Sequence, residues 1–333
     1  MIVILSTFNG ESRLRDMFEA MLRIRIPEGT RFHVVDNAST DQTRAVLAQY
    51  ESKLHLTVHE QPVRGKNICL NLVLDKVSNQ LAPDELVVLT DDDILPSIEW
   101  LDELQAAANA HSDCDIFAGR ILPHWPSNFS PCLEPVRRYY GILFSLTSNV
   151  EGPCEATEAW GPNMAVRAHV FQSGVRFDPR FGPNSTIGYP MGSETELMER
   201  LDQAGHRAWF AERACVRHMI RASQLNPTSV VQRAFRHGYG VGWRYQRGRG
   251  RLGLATMMFR AVRGVVAAHI RSFWSSAEDQ LLQDYHEAWA RGLASGALFE
   301  YRRSRRVPTA AELFPETAEQ IGTNAGAGAN IGD

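Results

Sequence analysis

The stretch Leu86-Val87-Val88-Leu89-Thr90-Asp91-Asp92-Asp93 runs from four apolar residues straight into three carboxylates. An apolar run without alternation suits a strand covered on both faces, as in a parallel sheet with helices above and below. Three adjacent carboxylates repel one another, and the end of a buried strand is a costly place for them without a cation. Mg2+ and Mn2+ take carboxylate oxygens and commonly share their coordination with substrate phosphates. In open α/β sheets, ligands gather beyond the carboxyl ends of the strands, which is where this acidic run belongs. Taken alone, the run also fits an exposed acidic turn that caps the next helix.

Outward from this strand, the first third of the chain alternates strand and helix signals. Ile2 to Ser6, Phe32 to Val35 and Leu54 to Val58 are short β-rich runs. Between them, Leu14, Phe18, Met21 and Leu22 recur at helical spacing, and helical patterns resume over Thr43 to Tyr50 and Lys66 to Val77. This alternation predicts a nucleotide-binding α/β architecture. From about Phe117 to Trp209 the chain is rich in Pro, Gly and aromatics and predicts mixed sheet and loop. Within it, Thr195 to Ala204 reads as a helix closed by Gly205.

Two further strand ends offer polar groups to the same edge. Asp36-Asn37-Ala38-Ser39-Thr40-Asp41 follows the second strand, and Ser6-Thr7-Phe8-Asn9-Gly10 the first. Asp36 is placed to accept the imide N–H of a uracil-like base or a ribose hydroxyl; the bland alternative is a turn in which Ser39 or Thr40 caps the next helix. Arg64-Gly65-Lys66-Asn67 opens a helix, with Asn71 one turn on. Backbone donors and a cation at a helix N-terminus suit a diphosphate or a sugar hydroxyl.

Together, these segments resemble family 2 glycosyltransferases of the GT-A fold. The resemblance rests on Ser6-Thr7-Phe8-Asn9, Val34-Val35-Asp36-Asn37-Ala38-Ser39-Thr40-Asp41, Gly65-Lys66 with Leu70-Asn71, and Thr90-Asp91-Asp92-Asp93. Further on, Gly161-Pro162-Asn163-Met164-Ala165-Val166-Arg167 is similar to that family's acceptor-side segment. Phe177-Asp178, Gly192-Ser193-Glu194-Thr195-Glu196-Leu197 and Arg217-His218 resemble its later motifs, so the match runs in register over about residues 1 to 220.

The resemblance implies an inverting transfer of sugar from a nucleotide-sugar (UDP- or another NDP-sugar) to a saccharide or lipid-linked acceptor, assisted by Mn2+ or Mg2+. It implies Asp93 as the main metal ligand and Asp91 on ribose or metal, with Asp92, Thr7 and Asn9 beside them. Asp36 would bind base or ribose, Lys66 and Asn71 would line diphosphate and sugar, and His218 would approach the metal or diphosphate. The family's acidic Glu-Asp pair reads here as Ser193-Glu194. Glu194 is therefore the expected general base, with Glu196 as competitor. Two other readings share the scaffold, a sugar-1-phosphate nucleotidylyltransferase and a non-catalytic carbohydrate-binding protein. The first normally carries a Gly-rich, cationic loop after its first strand, where this chain has Ser6-Thr7-Phe8-Asn9-Gly10-Glu11.

Composition narrows the setting. A net charge of -3 gives no reason to expect nucleic acid as partner. The average conceals an asymmetry: Arg213 to Ala277 holds twelve arginines and no Asp or Glu. Within it, Arg260, Arg263, Ala267 and Arg271 share one side of a predicted helix, with Met258, Val262, Val265, Val266, Ile270 and Phe273 mostly on the other. Such a helix suits an anionic bilayer or a polyprenyl-phosphate acceptor, or a packed surface helix with solvated arginines. The five scattered cysteines, the strand-like start and the lack of any apolar run near about 18 residues predict a cytoplasmic protein, peripheral at the inner membrane face if the basic helix binds lipid. The expected organisation is a GT-A domain over 1–225 (nucleotide-sugar half 1–115, acceptor half 116–225), a basic helical extension over 226–310, and a disordered tail over 311–333.

Overall fold

The computed structural model describes residues 1–127, 131–186, 188–273 and 279–305, so the predicted tail lies outside the described residues. Among the described residues, nine strands form one mixed sheet: β1 (Ile2–Thr7), β2 (Arg31–Asp36), β3 (Leu56–Glu60), β4 (Leu86–Leu89), β5 (Ile94–Pro96), β6 (Ile116–His124), β7 (Gly152–Cys154), β8 (Met164–Arg167) and β9 (Ala208–Met219). Their order is β3-β2-β1-β4-β8-β6-β9-β5, with β7 on β9. The helices are α1 (Glu11–Met21), α2 (Thr43–Leu54), α3 (Lys66–Val77), α4 (Trp100–Ala110), α5 (Tyr140–Phe144), α6 (Ala168–Gln172), α7 (Ser193–Gln203), α8 (Pro227–Gln246), α9 (Gly250–Ser272) and α10 (Gln280–Arg303).

The strands β1 to β4 are parallel neighbours, as the apolar runs predict. Their side chains divide between two cores, one on each face. Val3, Leu5, Val34, Leu86 and Val88 pack with α1, α2 and α4, while Ile2, Ile4, Val35, Val87 and Leu89 pack with α3, α6 and α7. β8 then enters antiparallel to β4, with Leu86 opposite Arg167 and Leu89 opposite Met164. This return separates the halves of the sheet and brings the ends of β6 and β9 round to the edge where β4 stops.

Asn163, fully buried just before β8, ties this junction together. Its amide donates to the carbonyls of Arg120 and Ala214 and accepts from the Trp100 indole, so every polar atom of the side chain is satisfied in the core. A side chain at Gly119 would collide with this amide, its Cβ falling 2.1 Å from Asn163 Nδ2.

The basic region forms α8, α9 and α10. α8 and α10 touch backbone to backbone through Gly238 and Gly242 on one and Gly292 and Gly296 on the other. The buried side of α9 is small or flexible: Gly253, Met257, Ala261 and Ala268, of which Met257 and Ala261 pack on Leu293 and Ala297 of α10. Its apolar side is the surprise, because Leu252, Phe259, Val262, Val266, Ile270 and Phe273 face solvent. None of the helices among the described residues is long and apolar enough to cross a membrane.

Candidate active site

The carboxyl ends of β1 and β4, the N-termini of α3 and α7, the end of β9 and the start of α8 surround a cavity of about 440 Å³. Thr7, Lys66, Asp91, Asp92, Asp93, Glu194 and His218 all line it. Thr90 anchors the acidic run, its N–H donating to the Ile4 carbonyl and its hydroxyl to that of Pro162.

Beyond Thr90 the three carboxylates part company. Asp92 turns back into the protein, where the Arg13 guanidinium grips both its oxygens and the Thr7 hydroxyl donates at 2.6 Å. Burial nevertheless pushes its carboxyl above the usual range. Asp91 meets the Lys66 ammonium at 2.5 Å. Burial, with Asp93 and Glu194 nearby, raises it against the pull of Lys66. Asp93 lies 3.2 Å from His218 Nε2. Burial alone would raise Asp93, but the His218 charge wins and holds its carboxyl low. Conversely, burial would lower His218, and Asp93 raises it.

His218 Nδ1 lies 2.6 Å from the Phe144 carbonyl, which fixes the N–H there and turns Nε2 toward Asp93. A ligating histidine almost always holds its second nitrogen in this way. A carboxylate oxygen and an imidazole nitrogen, with Asp91 close by, therefore suit a divalent cation.

Across the cavity, Lys66 also donates to Glu194 Oε1 at 2.7 Å, and the Ser193 hydroxyl donates to Oε2 at 2.7 Å. Burial would raise Glu194, yet Lys66 and Ser193 keep its carboxyl below the usual range. Burial would lower Lys66, and its two acidic partners raise it instead. Gly192 reaches the start of α7 at φ +95°, a backbone region suited to glycine. Gly161 makes room for the ion pair, since a Cβ there would lie 2.5 Å from Glu194 Oε1. Glu196 faces away from the cavity, held by Arg200 at 2.9 Å and by Arg247. Glu194 is thus the α7 carboxylate that meets the cavity.

Three expected residues do not line it. Asp36 is buried with both oxygens in use, one on the Ser39 N–H at 3.0 Å and the other on Arg44 at 2.9 Å. Asp36 thus braces a turn, although neither Ser39 nor Thr40 caps α2, whose N-cap is Gln42, and Asn37 lines the wall. Asn9, at φ +47°, accepts from the Thr40 N–H and braces the same turn. Asn71 exchanges hydrogen bonds with the Phe177 backbone, 2.8 Å and 3.0 Å, and so clamps α3 to the loop before α7.

Several lining residues escaped the motifs. Arg64 stacks over the Phe8 ring at 3.0 Å, forming a flat wall near Asn37. Tyr189, Arg221, Gln224, Arg233 and His237 close the side toward α8. The Arg233 Nε is buried without a hydrogen-bond partner, and burial lowers the guanidinium from its ordinary value. The acid-free arginine run hinted at Arg221 and Arg233, but no motif marked this side, because its residues come from the loop before α7, the turn before α8 and α8 itself.

A mannosyltransferase from Pyrobaculum calidifontis, solved with GDP-Man and Mn2+, superposes with a TM-score of 0.51 at 17% identity, covering 96% of this chain and 80% of that one. TarS 1-349 of S. aureus, in complex with UDP-GlcNAc, gives 0.51 at 15% identity, with 92% and 93% covered. Against a longer TarS chain, this protein spans 38% of that length. No curated protein matches the sequence. At these identities the likeness speaks for the fold, a GT-A sheet with a helical C-terminal region. The glycosyl transferase family 2 model matches residues 2–173, just over half the chain and all the strands that carry the acidic run. The protein is a glycosyltransferase and belongs to glycosyl transferase family 2.

Proposed function

We propose that this enzyme moves a sugar from a nucleoside-diphosphate sugar to an acceptor hydroxyl, with inversion at the anomeric carbon. The observation that carries the reading is the meeting of two pairs, Asp93–His218 and Lys66–Glu194, in one cavity at the carboxyl ends of the strands. Asp93 and His218, aided by Asp91, would hold Mn2+ or Mg2+, which when bound neutralises charge on the departing diphosphate. Arg64 and Phe8 offer a flat surface for base or ribose.

Glu194 takes the proton of the acceptor hydroxyl as the acceptor oxygen bonds to the anomeric carbon and the bond to phosphate breaks. Held ionised by Lys66, it keeps further lone pairs for that proton beside its two existing hydrogen bonds. Glu194→Gln should lower turnover by about two to four orders of magnitude while leaving donor affinity unchanged. Near-normal turnover would remove Glu194 from the role of base.

The proposed acceptor is lipid-linked and phosphate-bearing, met at an anionic membrane face in the cytoplasm during surface polysaccharide or glycolipid assembly. Two features support it. Arg221 and Arg233 line the α8 side of the cavity with no carboxylate in contact with the Arg233 Nε. On α9, the exposed residues Leu252, Phe259, Val262, Val266, Ile270 and Phe273 fall within a band of about 80°. Arg251 and His269 flank it on one edge and Arg263 and Arg260 on the other, and α9 contains no acid. This pattern suits a helix lying in the lipid interface. Full-length protein should co-sediment with anionic but not zwitterionic vesicles, and V262S/V266S/I270S should release it. Absence of binding by the unaltered protein would end the membrane reading.

A further inference from the structure

We propose that Asp115, His169 and His206 form a Zn2+ site on the opposite edge of the sheet from the active site, where the metal fastens the fold. The three side chains come from separate elements. Asp115 immediately precedes β6, His169 lies in α6, and His206 sits in the turn between α7 and β9. One ligand atom from each falls within 4.8 Å of the others. β8 places them there: it runs antiparallel to β4, so His169 emerges beyond the amino end of β4 while Asp91 follows the carboxyl end. The strand rise separates these levels by about 20 Å. The triad therefore takes no part in holding the donor.

The hydrogen bonding around His169 points to a cation. Its Nε2 lies 3.2 Å from Asp115 Oδ1, and its Nδ1 lies 3.2 Å from the Pro83 carbonyl. A neutral imidazole carries one N–H and cannot donate to both oxygens, so this geometry calls for a second proton or a cation on Nε2. Meanwhile Asp115 Oδ2 already meets His206 Nδ1 at 2.7 Å. A metal on Nε2 would satisfy the geometry and leave the Nδ1 N–H on Pro83. This is the outer hydrogen bond that orients ligating histidines, and His218 makes its equivalent to Phe144 in the active site.

The spacing also suits zinc. Tetrahedral ligands at Zn–N and Zn–O bonds of 2.0–2.1 Å stand about 3.3 Å apart. The His169–Asp115 contact of 3.2 Å through Oδ1 already has that spacing, whereas His206 meets the other oxygen, Oδ2, so the carboxylate or the His206 ring must turn to present one metal to both imidazoles. Two imidazoles and one carboxylate favour Zn2+ over Mg2+ or Mn2+, which prefer oxygen. All three side chains are partly exposed, so the ion has a path in and a coordination place left for water.

The test uses full-length protein stripped with a chelator and carrying Asp93→Asn, which silences the active-site pair. Calorimetric titration with Zn2+ should show one equivalent bound, and the Tm should rise with Zn2+ concentration. Adding His169→Ala or His206→Ala should weaken Zn2+ binding by about 100-fold and abolish the Tm rise. An Asp93→Asn protein without Zn2+ affinity overturns the proposal, leaving the triad as a hydrogen-bonded cluster. So does undiminished binding in either histidine variant. X-ray absorption on Zn2+-loaded Asp93→Asn protein leaves the triad intact and covers the case in which a histidine variant fails to fold. Two imidazole ligands are expected there, and oxygen-only ligation refutes the site.

Discussion

Replacing Gly161 by alanine tests the catalytic arrangement without removing any catalytic group. The added methyl would sit 2.5 Å from Glu194 Oε1 and 2.9 Å from Lys66 Nζ. Ordinary contact begins near 3.4 Å, so the carboxylate must retreat by about 1 Å. Both colliding atoms are ends of flexible side chains, and Gly161 is not at positive φ, so the fold should persist. Misplacing a reacting group by about 1 Å costs about 100-fold, or about 2.7 kcal/mol of transition-state stabilisation.

A pH effect should accompany the loss. Lys66 is what holds the Glu194 carboxyl below the usual range. Loosening the pair lets that carboxyl rise, so the base becomes protonated at a higher pH and the acid limb of the rate profile moves upward. Release of nucleoside diphosphate, followed across pH, reads both quantities, and calorimetry of donor binding serves as the control. A turnover within about threefold of the parent, with an unmoved acid limb, would refute the role given to the Lys66–Glu194 pair.

Neighbouring carboxylates should behave differently. Asp93→Asn should abolish the Mn2+ dependence of donor binding by calorimetry, whereas Asp92→Asn should keep it and lower stability by about 3 kcal/mol through loss of the buried Arg13 pair. Gly296→Ala would set a Cβ 1.9 Å from the Tyr239 carbonyl in the backbone of α8, and denaturant melts should show a loss of about 1–3 kcal/mol. His33 and His237 are both pushed down to about 4, chiefly by burial. Each stays neutral when folded and takes up a proton more readily when unfolded. The stability they contribute is full above about pH 6.5 and is lost as pH falls toward 4, by about 3 kcal/mol for each. Chemical melts across that window check the sign, and His237→Phe should flatten part of the slope.

Much of the first third was legible because its signals are local. Apolar runs between helical patterns suit parallel strands with covered faces, and β1 to β4 form in that arrangement, β3 two residues later than read because Leu54 ends α2. β5 was not anticipated, since three residues after an acidic turn carry no period and pair only because β9 passes beside them. On α9 the arginine and apolar sides were readable, but the side that packs was not. Gly253, Ala261 and Ala268 let α9 lie close to its neighbours, which leaves the larger apolar residues outside.

The acidic run divides in the same way. Sequence alone determined that carboxylates follow a doubly covered strand and therefore stand at the ligand-bearing edge of the sheet. It could not determine their separate tasks, because Asp91, Asp92 and Asp93 are alike in chemistry and adjacent in the chain. Their partners decide: Lys66, Arg13 and His218 arrive from α3, α1 and β9. The last of these exists only after the antiparallel return of β8 has brought β6 and β9 to that edge. The same return gathers Asp115, His169 and His206 at the far edge, from positions that no local period connects.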